Sequence, residues 1–144
     1  MRDQEIEVKL RLLNIQLDNW KKLHNLITYG LDKSKPIISS EQERQFTEIR
    51  AYLLQETEHI LRKLNLVAEL SGKVMNVLQR ASSMRGVREL TMEEVRRMET
   101  EWNNVFTKLG VVRGQLKTRR KELEGQTALG YYLSQLFNRP ARTG

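Results

Sequence analysis

The chain has 144 residues, 39% of them hydrophobic and 30% charged, with eight glycines, two prolines and no cysteine. That length suits one domain around one continuous core, and the composition favours helices over a sheet. Absent thiols exclude disulfides and cysteine-ligated metals and leave the cytoplasm as the default compartment.

The formal net charge of +7 is unevenly spread: residues 1–79 hold 12 basic and 11 acidic side chains, residues 80–144 hold 13 and 7. An anionic partner is therefore expected at the second part. MRDQEIEVKL, at the N-terminus, has acidic residues where a signal peptide needs an apolar run, and no stretch approaches the roughly 20 apolar residues of a membrane span.

The first predicted helix covers about residues 3–30. Ile6, Leu10, Leu13, Leu17, Trp20, His24, Ile27 and Leu31 alternate steps of four and three, a heptad seam. Leu12, Leu23 and Leu26 widen it toward a second neighbour, and Gly30 suits a left-handed cap. The second helix is predicted over 40–83, opened by a capping box between Ser40 and Glu43. Its two stripes, one from Phe46 to Val77 and one from Leu54 to Leu78, make it the long central helix. The third helix, 91–125, starts at a Thr91–Glu94 capping box, and its seam includes Val95, Met98, Trp102, Val105, Leu109, Val112, Leu116, Arg119 and Leu123. Beyond Gly125, residues 126–144 read as a short apolar helical segment and tail.

The expected fold is thus all-α, an antiparallel three-helix bundle or coiled coil in one domain, residues 1–125. Folding about residues near 35 and 87 gives three register expectations. Glu56 and Arg119 fall close enough to form a buried ion pair, against the alternative that both reach solvent from the seam margin. Trp102 falls opposite Ser71 and Gly72, where a missing side chain accommodates a large ring. A central helix longer than the first leaves residues from about 69 to 105 as a projecting hairpin bearing Leu70, Val74, Val77, Leu78, Val95 and Met98. Self-association or a partner helix would cover that surface, unless the two strips close on each other.

No phosphate-loop or dinucleotide glycine pattern is present, no Glu-x-x-His pair occurs, and His24 and His59 lie on different helices. No catalytic residue, metal site, cofactor or small-molecule substrate is indicated. Residues 102–123, WNNVFTKLGVVRGQLKTRRKEL, carry six basic side chains. Arg113, Lys117, Arg120 and Lys121 fall on one strip away from the apolar seam, a candidate anion contact for nucleic acid, an anionic membrane or an acidic protein. The plainer reading is solvated charge complementing a helix C-terminus, and aromatic residues for base stacking are not interleaved with the strip. Gly110 and Gly114 share one side of the helix, as close approach of another backbone would require, or as a local bend would tolerate. Leu129, Tyr132, Leu133, Leu136 and Phe137 form an apolar face expected to dock on the bundle or a partner, with a membrane-surface foot as the alternative.

In helix order the chain is broadly similar to spectrin-type three-helix units and to small helical secretion chaperones, with no motif specific to either. The expected function is a non-enzymatic helical interaction, scaffold or assembly protein acting as a homo-oligomer or with a partner helix. The alternatives are a nucleic-acid or anionic-membrane binding module on the third helix, and a small chaperone or adaptor whose C-terminal segment covers an apolar groove.

Overall fold

The computed structural model describes the backbone of residues 4–143 and the side chains of residues 4–136. It is all-α, with five helices: α1 (Gln4–Leu31), α2 (Ser40–Lys63), α3 (Val67–Arg80), α4 (Met84–Arg88) and α5 (Met92–Thr143). The predicted second helix is in fact two. Asn65 is the non-glycine residue of positive φ among the described residues, at 57°. Around it the Leu66 N–H donates to Leu61 O at 2.8 Å and the Asn65 N–H to Arg62 O at 3.2 Å. That pair of bonds is a Schellman cap, with asparagine in the left-handed position usually given to glycine. Leu61 and Leu66 are both buried beside the turn, so the chain stops one helix and starts the next without losing its apolar stripe.

The reversal makes the body a four-helix bundle instead of the expected three. α1 packs on α2, α2 on α3, α3 on α5, and α5 back on α1. Side-chain bonds join each neighbouring pair, and the short connections turn consecutive helices antiparallel. Gln16 Nε2 donates to Thr57 Oγ1 between α1 and α2. Arg50 Nε reaches Leu78 O at 2.9 Å and Ser71 Oγ reaches Glu58 at 2.9 Å between α2 and α3. Asn76 donates to Glu101 and Lys108 pairs with Glu69 between α3 and α5. Trp102 Nε1 donates to Trp20 O at 3.1 Å between α5 and α1. An up-down-up-down bundle with short connections follows.

Its core takes the seam residues of α1, Leu13, Leu17, Trp20 and Ile27, together with Leu23 from the widened stripe. Phe46, Leu53 and Leu61 come from α2, Leu70, Val74, Val77 and Leu78 from α3, and Met98, Trp102, Val105 and Leu109 from α5. α4 plugs one end. Its Met84 and Val87 are fully buried, its first N–H bonds Glu43 Oε1 at 2.7 Å, and Arg88 donates to the carbonyls of Gly30 (2.6 Å), Asp32 and Pro36. One guanidinium thereby satisfies the end of α1 and the α1–α2 loop together.

Three boundary expectations shift. The first capping box joins Ser39 to Gln42, one residue earlier than Ser40 and Glu43, which frees Glu43 for α4. Gly30 is not a left-handed cap, since no described glycine has positive φ. It is buried because α4 sits against it, where a Cβ would lie 2.8 Å from Val87 Cγ2. Gly125 does not end the last helix, which runs on through residue 143.

Candidate interaction site

The surface expected on a projecting hairpin is interior. Leu70, Val74, Val77, Leu78 and Met98 are buried and Val95 is half-buried, because α3 folds back along α2 and α5 instead of extending past α1. That expectation is therefore corrected, and the projecting element is instead the C-terminal part of α5. Among the described residues, the pair of Arg120 Nη1 with Glu7 at 3.7 Å lies near the end of the α1–α5 packing. From Glu124 to Leu136 every described side chain on α5 is exposed. About 20 residues of single helix, roughly 30 Å at 1.5 Å per residue, stand beyond the bundle as an arm.

The arm is polar on most sides and apolar on one. Leu129, Tyr132, Leu133 and Leu136 are 57%, 60%, 40% and 39% exposed, and their spacing puts them on one face. They do not fold back onto the bundle; the side chain of Phe137 lies outside the described residues. At 100° per residue this face is turned about 140° from the Val105, Leu109, Val112 and Leu116 side that meets the bundle. The arm's face is thus no continuation of the core seam. Tyr131, 69% exposed, stands on another side of the helix.

The basic strip divides in two. Arg113 Nη1 donates to Asn14 at 3.3 Å and Arg120 pairs with Glu7, both turned to α1, while Lys117 and Lys121 face solvent. Sequence periodicity placed all four on one strip, but α1 crosses one margin of it. The Glu56–Arg119 pair does not form: α2 and α5 are diagonal in the bundle, Arg119 is exposed, and no ion pair joins the two among the described residues. Glu56 instead lies beside Tyr52, whose phenol is pushed above its ordinary value by burial and then by that carboxylate.

Trp102 does not fill a gap at Gly72. It faces α1, stacked on His24 with ring centroids 4.1 Å apart and on Phe106 at 4.8 Å. His24 Nε2 also meets Glu99 Oε2 at 2.8 Å, so this histidine is held as a packing element, and His59 is exposed elsewhere. Gly110 and Gly114 have nothing within 4 Å of an added Cβ, so among the described residues no other backbone of this chain approaches either of them closely.

A cleft of about 450 Å³ between α1 and α2 is lined by Asn19, Lys22, Asn25, Leu26, Gln45 and Glu48 among others. Its charges do not converge, since Lys22 pairs with Asp18 and Glu48 with Arg44. Among the described residues no three His, Asp or Glu side chains gather as metal ligands, and no helix is long and apolar enough to cross a membrane. The arm is the feature that stands out, and periodicity at 129–136 signalled its face but not its direction. No family model, curated protein or solved structure matches the chain.

Proposed function

We propose that this protein is a non-enzymatic helical interaction protein, a scaffold or assembly element of the cytoplasm, whose contact surface is the apolar face of the α5 arm. The observation that carries the reading is that Leu129, Tyr132, Leu133 and Leu136 stand exposed on one face of a helix extending past its own core. A helix presenting anchors at i, i+3, i+4 and i+7 suits coiled-coil pairing or insertion into a groove, and apolar surface of this kind is what such partners cover. The bundle then acts as the body that holds the arm's base rigid. The nucleic-acid or membrane alternative draws less support, because two of the four candidate cations are committed to α1. A chaperone-like cover draws less as well, because every described side chain of the arm from Glu124 to Leu136 is exposed instead of laid in a groove.

A photo-crosslinking residue at position 132 of the full chain, expressed in cells, should give protein adducts, to itself or another chain. The same residue at Lys21, exposed on α1, should give few. Equal or absent adducts at the two positions overturn the reading.

A further inference from the structure

We infer that the occupant of the arm's face is a second copy of this chain, its arm paired antiparallel over residues 122–143. This rests on the reading of the arm as a contact element and adds the partner and its register. The first support is symmetry. Positions 129, 132, 133 and 136 read the same in both directions about a point between 132 and 133. An antiparallel copy therefore sets Leu129 against Leu136 and Tyr132 against Leu133, twice over, as an isologous two-fold contact requires.

The second support is charge. Glu122 is the acidic residue that shares this face, and position 139, an arginine, falls on its flank toward the tip. The antiparallel register brings each Glu122 within about one helical turn of position 139 of the other copy. A parallel pairing would instead set Glu122 against Glu122, a like-charge contact that helix pairs avoid.

The other classes of occupant fit less well. A helix lying on anionic lipid carries lysine and arginine along its polar face, but no basic residue occurs between Lys121 and Arg139. The same gap removes the phosphate contacts that nucleic acid would need. Space also permits the second copy. Since the apolar face is turned away from the bundle side of α5, the tip of an incoming arm runs past the base of its partner without meeting α1. The patch is small against the roughly 800 Å² per partner of a standard interface, so the pairing should be reversible.

Sedimentation of the purified chain across a concentration series should show a monomer–dimer equilibrium. Leu133→Gln should weaken it at least about tenfold with the thermal unfolding of the bundle unchanged. The chain contains no cysteine, so Leu129→Cys and Leu136→Cys variants can be mixed and oxidised; the mixed disulfide 129–136 should form in preference to 129–129 or 136–136. A dimer indifferent to Leu133→Gln, or one linking 129 to 129, overturns the antiparallel arm pairing. A chain monomeric at all concentrations whose position 132 still crosslinks to another protein overturns self-pairing and leaves the arm a contact element. Monomer without any adduct removes both.

Discussion

Gly30 and Gly114 are both helical glycines, yet their neighbours give them opposite roles. A methyl group at Gly30 would meet Val87 Cγ2 at 2.8 Å and Met84 O at 3.0 Å, and the second of these is backbone that cannot step aside. Gly30→Ala should therefore destabilise the bundle by about 1–3 kcal/mol through overpacking. A Cβ at Gly114 meets nothing within 4 Å, so Gly114→Ala should stabilise it by about 0.5–1 kcal/mol through helix propensity and chain entropy. Urea unfolding of the two variants checks the opposite signs. The sequence could not separate these glycines. Spacing assigns a residue to a face, but what stands against that face depends on which helix packs there, and Gly30 meets α4, a five-residue helix too short to leave a periodic signal.

Local capping chemistry was far more legible than tertiary register. Before α5 the Thr91–Glu94 box forms as its spacing predicts: Glu94 N donates to Thr91 Oγ1 at 3.1 Å, and Thr91 N donates to the Glu94 carboxylate at 3.2 Å. The Thr91 N–H and, at 3.0 Å, the Thr91 hydroxyl both donate to that carboxylate and hold the Glu94 carboxyl below its ordinary value. A depressed folded value means the charged form favours the folded state. That contribution is complete above the ordinary glutamate range and is lost as pH falls through the lower folded value. Thr91→Ala should cost about 1 kcal/mol at neutral pH and should flatten this part of the acid dependence. Thermal melts of both proteins from neutral to acidic pH test it; an unchanged difference between them at all pH values would show that Glu94 is not linked to the cap. By contrast, the α2–α3 break was missed because Asn65 sits inside unbroken apolar periodicity with no glycine or proline nearby. Its left-handed backbone is made affordable by the amide side chain and by buried Leu61 and Leu66.

That single missed turn accounts for the main differences at the scale of the molecule. With one long central helix, the surplus length must project as an α2–α5 hairpin, and Glu56 must approach Arg119. With a reversal at Asn65 the surplus returns as a fourth wall, the hairpin residues become core, and α2 and α5 become diagonal. The helix class and most buried positions were legible, because a seam is apolar whichever neighbour it meets; the partner of each seam was not, because it is set by turns. The length left over then belongs to α5, which runs 52 residues where α1 offers it only 28. Stability should divide along the same line. Amides of α5 around Met98, Trp102, Val105 and Leu109 lie in the core and should open only with the whole bundle, whereas those of residues 125–136, all on exposed helix, should open locally. A single helix of this length is marginal in water without a partner. Hydrogen exchange in dilute solution should therefore show rapid exchange over 125–136 beside strong protection over 98–112, and raising the concentration into the dimeric range should slow the first segment while leaving the second unchanged. Full protection of the arm in dilute solution would mean that it is covered within one chain, and that the projecting element is misassigned.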